Sequence, residues 1–156
     1  MAKFAASFNV NTTAQQYDTG VNVGGLLGPF AAGSSTGLNP GYGTFIGATF
    51  MDPTAQDVVL ELWLFNNPPI VTVSDHTYFA LSANDVTYVI GVLTFSNYSD
   101  SAAASGQGVR SVSVIRAAQL PYYVPNSNNM WLALVTRGKP TYGITTLTLR
   151  VLVDRD

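Results

Sequence analysis

VVLELWLFNNPP, residues 58–69, is the stretch that decides the fold class of this chain. Val58, Leu60, Leu62 and Leu64 fall on one side of an extended backbone, and Val59, Glu61, Trp63 and Phe65 on the other. Both sides are largely apolar, so the run predicts an interior strand. Asn66, Asn67, Pro68 and Pro69 end it, because two prolines remove two ladder donors and hold the residue before each in extended geometry.

The carboxyl-terminal run TTLTLRVLVD alternates more cleanly: Thr145, Leu147, Leu149, Val151 and Val153 on one side, Thr146, Thr148, Arg150, Leu152 and Asp154 on the other. Similar runs occupy residues 43–51, 88–95, 108–115 and 130–137, with weaker ones at 3–10 and 76–81. They are rich in β-branched and aromatic residues and are separated by Gly, Pro, Asn and Ser clusters. No long stretch carries helical periodicity. The one helical signal is Ser82 followed by Asp85, which reads either as a capping-box start for a turn or two or as a simple polar turn.

Roughly eight to ten short antiparallel strands in one domain describe an all-β fold, and a β-sandwich of jelly-roll type accommodates them in this length. Residues 24–43 stand apart, with seven glycines among prolines and serines. They are expected to form an extended loop, either ordered against a partner or merely part of the surface. Residues 1–20 are expected to contain a flexible amino-terminal arm.

Length and composition bound what such a block can do. At 156 residues the chain can bury a core without staples, and it contains no cysteine, which excludes disulfides, thiolate metal sites and a thiol nucleophile. Charged residues are 10% of the chain against the roughly 25% usual in soluble domains, and the formal net charge is −2. A surface so weakly charged favours association with other protein. Lys3, Arg110, Arg116, Arg137, Lys139, Arg150 and Arg155 are scattered, with no cluster to neutralise a run of phosphates, so direct nucleic-acid binding is not expected. No apolar run is long enough to span a bilayer, and the amino terminus lacks the form of a secretory signal. A soluble protein without membrane contact is the expectation.

Candidate chemistry is sparse. His76 is the only histidine and Glu61 the only glutamate. On a strand, Ser74, Asp75 and His76 would point to alternate faces and could not form a triad among themselves. The aspartates sit at predicted turns and ends, where aspartate caps backbone, and none has calcium-loop spacing. GYGTFIG and GKPT both fail the phosphate-loop patterns. The sequence therefore predicts no enzyme, no cofactor and no metal. Tyr122 and Tyr123, between two prolines, read either as cover for the end of a sandwich or as a binding surface.

The order LELWLFNNPPIVTVSDHTYFALSANDVTYVIGVLTF, then LPYYVP, then NMWLALVTRGKPTYGITTLTLRVLVDRD resembles a family of small structural proteins encoded by tailed bacteriophages, the capsid decoration or cement proteins. The likeness runs over residues 58–156; the glycine-rich part before it matches loosely. It implies a β-sandwich, commonly a homotrimer, on the outer surface of the virion capsid, made in the host cytoplasm and clamping neighbouring major capsid subunits. It supplies no catalytic residue. The expected interface residues are Phe4 and Phe8 in the arm, Leu26, Leu27 and Phe30 in the 24–43 segment, and Tyr122 and Tyr123. Two alternatives stand beside this reading: a tail or baseplate component, and a carbohydrate-binding β-sandwich using Tyr122, Tyr123 and Trp63.

Overall fold

The structure, a computed structural model, describes residues 2–33, 41–101, 110–125 and 129–155. Among them are nine strands and one short helix: β1 Ala2–Asn11, β2 Asn22–Ala31, β3 Gly41–Asp52, β4 Leu60–Phe65, α1 Ala83–Val86, β5 Val89–Phe95, β6 Tyr98–Asp100, β7 Ser111–Val124, β8 Asn129–Thr136 and β9 Thr146–Arg155. They form a five-stranded sheet in the order β1-β9-β3-β7-β6 and a four-stranded sheet in the order β2-β8-β4-β5. Every pairing is antiparallel.

The alternation in the carboxyl-terminal run sets the inner face of the larger sheet. Leu147, Leu149, Val151 and Val153 of β9 are buried, as are Phe45 and Phe50 of the neighbouring β3. Leu60, Leu62 and Leu64 of β4 and Met130, Leu132 and Leu134 of β8 supply the opposing face, and all belong to one core cluster. Phe50 meets Phe95 of β5 across the gap, with ring centroids 5.6 Å apart. The two sheets thus face each other over a shared apolar layer, the usual way for two half-apolar sheets to leave water.

Strand β4 is interior as expected, and the structure shows what lies on its second side. Residues 66–88 carry α1 but little other regular structure. Phe79 from that segment packs on Trp63 at 4.9 Å and Phe65 at 6.4 Å between ring centroids. The capping box is present: Ser82 Oγ accepts from the Asp85 N–H at 3.1 Å, and Asp85 Oδ2 accepts from the Ser82 N–H at 3.1 Å. The weak run at 76–81 is not a strand; it makes a single bridge, Val21 to Tyr78.

Two expectations about the first forty residues need correction. Residues 2–11 are β1, as the weak run at 3–10 predicted, rather than part of a flexible arm; they pair with β9 in unbroken register from Ala2–Arg155 to Asn11–Thr146. Alternation explains it, since Phe4, Ala6, Phe8 and Val10 turn inward onto the core while Lys3, Ala5, Ser7 and Asn9 face out. Residues 22–31, largely assigned to a glycine-rich loop, are β2 on the edge of the smaller sheet; residues 34–40 of that segment lie outside the described residues. The glycines allow the strand to bend rather than abolish it. Gly24 has φ +82°, and a Cβ there would stand 2.3 Å from Val10 Cγ1, so only glycine lets β2 approach β1 this closely. The pairing of β2 with β8 shifts register twice as a result.

Removal of residues 2–11 is expected to abolish the cooperative unfolding transition, because it strips β9 of its edge partner. An unchanged urea midpoint for the truncated chain would return these residues to the status of an arm. Leu62→Ala, at a site with no solvent exposure, is expected to cost about 2–5 kcal/mol of unfolding free energy in the same measurement.

Candidate functional site

The residues expected to form an interface separate sharply by exposure. Leu27, Phe30 and Tyr122 are buried within their own chain and are corrected here from interface to core. Phe30 is held between Phe4, stacked at 6.5 Å, and Phe8, edge-on at 5.7 Å, which joins β2 to β1. Phe4 and Phe8 are accordingly half-buried against the core, and the Arg155 guanidinium sits 4.2 Å over the Phe4 ring. Leu26 is half-buried and donates its N–H to the Val73 carbonyl at 3.1 Å.

Tyr122 and Tyr123 do not lie in a loop. They are successive residues of β7 and must face opposite ways. Tyr122 turns in, and its hydroxyl donates to the Ala32 carbonyl. Tyr123 turns out and packs on Tyr42, its register partner on β3, with centroids 4.8 Å apart. Trp63, the third aromatic of the carbohydrate alternative, lies under Phe79. Of the named candidates only Tyr123 is exposed, at 41%.

A surface feature that was not anticipated lies on the outer face of the five-stranded sheet. Strand β7 inverts the usual polarity: Ser111 and Ser113 are buried, while Val112 is half-exposed and Val114 is 57% exposed. Burying serines while leaving valine in water is unfavourable on transfer grounds, so the outward valines call for an explanation. Beside them a hollow of ≈ 420 Å³ opens around Gly47, lined by Ala5, Ile46, Val114 and Leu152 and flanked by Arg116 and Arg150. Both arginines are exposed, and neither has an ion-pair partner among the described residues. The alternation SVSVIR was the signal in the sequence; it was legible as a strand, but its inverted sense required knowing which side was core.

The lone histidine belongs to a polar cluster. His76 takes φ +61°, so Asp75 and His76 lie on a turn and reach the same neighbours, contrary to the strand-based expectation. Thr13 Oγ1 lies 2.6 Å from His76 Nε2, and Asp75 Oδ2 lies 3.8 Å from that same nitrogen. In a hydrolytic triad the carboxylate holds the other ring nitrogen. Here Asp75 instead accepts from the Gly24 N–H at 2.8 Å and the Tyr17 hydroxyl at 3.2 Å. Burial, with the adjacent Asp75 charge, pushes the Tyr17 hydroxyl up to about 12. The arrangement is a clamp that pins residues 13–17 and 75–76 to β2.

The remaining acids mostly do similar work. Asp52 is buried and accepts from the Thr54 N–H and hydroxyl at 2.7 and 2.6 Å and from the Gln56 N–H at 2.7 Å. Glu61 accepts two hydrogen bonds from Arg137, at 2.6 and 3.1 Å. Asp85 accepts from the Ile70 N–H at 2.6 Å as well as from Ser82, whose hydroxyl is 2.7 Å away. Burial opposes ionisation of Asp85, but the hydrogen bonds from Ile70 and Ser82 outweigh it and hold its carboxyl below the usual range. Asp100 is shifted up by desolvation and by the neighbouring Asp57. Among the described residues, no group of three or more His, Cys, Asp or Glu is placed to hold a metal ion, and no helix is long and apolar enough to cross a membrane.

Comparison with protein-family models and with curated proteins finds no match to this chain.

Because the carboxyl of Asp85 ionises more readily in the fold than in the unfolded chain, its contribution is present above about pH 4, the unfolded value, and is lost as pH falls through the lower folded value. Asp85→Asn is expected to lower the melting temperature at neutral pH, with the gap to the parent narrowing in acid. A gap that stays constant across the acid range would show that the charge is not what anchors residues 70–71.

Proposed function

We propose that the chain is a virion structural protein, a decoration or cement protein that sits on the outside of a phage head and clamps neighbouring major capsid subunits as a homotrimer. The observation that carries this reading is the strand order. Taken without the short β6, the pairs β1–β9, β2–β8, β3–β7 and β4–β5 nest one inside the next, and they alternate between the sheets as β1-β9-β3-β7 and β2-β8-β4-β5. We read this nested order as the plan of a jelly roll, an architecture that recurs in viral capsid domains as well as in lectins and cupins.

Fold alone does not choose among those roles. The weakly charged surface favours a chain that lives against other protein. The likeness of residues 58–156 to phage decoration proteins points the same way. The polar groups nearest to catalytic form, those around His76, are occupied in holding segments together. For the carbohydrate alternative, Tyr122 is in the core and Trp63 is half-buried against Phe79.

The physics of such a clip is repetition. A contact burying some 400 Å² of apolar surface is worth roughly 10 kcal/mol gross at about 25 cal/mol per Å², reduced by the cost of ordering the partners. A symmetric trimer makes each contact three times over, and its copies act together on one shell.

Electron microscopy of the particle is expected to show density for this fold at the three-fold and quasi-three-fold positions of the head, on the order of hundreds of copies per shell. Density confined to the tail, at tens of copies, would replace this reading with the tail or baseplate one. A monomer with no affinity for assembled heads would overturn the decoration reading.

A further inference from the structure

We infer that the outer face of the five-stranded sheet is a docking surface for an extended segment of a partner protein bearing two carboxylates four residues apart, with an apolar side chain midway between them. This goes beyond the proposed function: it concerns the chemistry of a bound segment and holds whether the partner belongs to a head or a tail.

The geometry follows from register. Arg150 of β9 stands opposite Thr49, and Arg116 of β7 stands opposite Gly47, with β3 between them. Two strand spacings across and two residues along put their α-carbons roughly 12 Å apart. Between them lies the hollow floored by Gly47, where a Cβ would come within 2.6 Å of the Ile115 carbonyl oxygen. The site is therefore two guanidinium groups, without ion-pair partners among the described residues, on either side of an apolar depression.

An extended chain advances about 3.3 Å per residue, so positions i and i+4 are roughly 13 Å apart and share a face, with i+2 between them on that same face. Carboxylates at i and i+4 reach the two arginines, which match carboxylate geometry through paired N–H groups. The side chain at i+2 enters the hollow and meets Leu152 and Val114. Val114, 57% exposed, gains an apolar neighbour there.

A second copy of this chain is a poor occupant. Its only stretch with acids at that spacing about an apolar residue is Asp57–Val59–Glu61. Asp57 lies at φ +51°, outside extended geometry, and Glu61 is already held by Arg137 through two hydrogen bonds. Polyphosphate fits worse, since two isolated arginines around an apolar hollow cannot track a backbone charge.

The test is a titration of the isotope-labelled full chain with the blocked nonapeptide Thr-Val-Asp-Thr-Leu-Thr-Asp-Val-Thr, followed by amide NMR shifts. The expected result is perturbation of Thr49, Val114, Arg116 and Arg150, with affinity falling about tenfold in the R116E/R150E variant, as two exposed pairs become repulsive. A peptide with Lys in place of both Asp should bind that variant more tightly than it binds the parent. If charge reversal disturbs the core resonances, Arg116→Gln with Arg150→Gln removes the charges alone and should weaken the acidic peptide severalfold. Shifts elsewhere or none, equal binding of both peptides to the parent, or the same shifts from inorganic phosphate would overturn the inference. So would self-association of the parent that the charge reversal abolishes, because the occupant would then be a second copy.

Discussion

Strand β4 is apolar on both sides, and a period-two strand can hide two apolar sides only if something covers each. The larger sheet covers one through the core formed with β9 and β3. Residues 66–88 cover the other, with Phe79 seated on Trp63 and Phe65. This demand shapes the whole molecule. It requires a long segment with little regular structure to stay folded over a sheet, although such a segment gains few backbone bonds of its own. Asp85 and Asp75 supply the missing fastening by accepting N–H groups from Ile70, Ser82 and Gly24.

The same demand makes the two sheets unequal. The four-stranded sheet carries a cover, whereas the outer face of the five-stranded sheet has Ala5, Thr49, Val114, Arg116 and Arg150 turned to solvent or half-exposed. The outward valines of β7 lie on that outer face, with serines behind them. Because the chain has so few charges, two arginines without ion-pair partners among the described residues weigh heavily there. Elsewhere several charged groups are spent within the molecule, as in the bidentate Glu61–Arg137 pair. A weakly charged chain that uses its acids to hold its own loops agrees with the proposed role in assembly.

Local readings succeeded where a local cause acts. The alternation in residues 145–154, the two-sided apolar run at 58–65 and its proline stop, and the Ser82–Asp85 capping box all appear as expected, since side-chain period, missing donors and caps need no distant partner. They failed where glycine weakened the pattern or where two neighbouring residues had to be told apart. Residues 22–31 pair as a strand because β8 offers an edge to a bent chain, something glycine content alone cannot reveal. His76 joins Asp75 and Thr13 because the backbone turns at positive φ there, which no strand period would include.

By itself the sequence determined that this protein is made of short strands, where most of them start and stop, and that it is poor in charge, because propensity, period and punctuation are properties of neighbouring residues. The tertiary structure decided which strands pair, that β1 closes the edge of β9, that Tyr122 is core while Tyr123 is surface, and that arginines from β7 and β9 flank one hollow. Those facts depend on register between segments far apart in the chain, and a shift of one residue would turn every side chain to the other face.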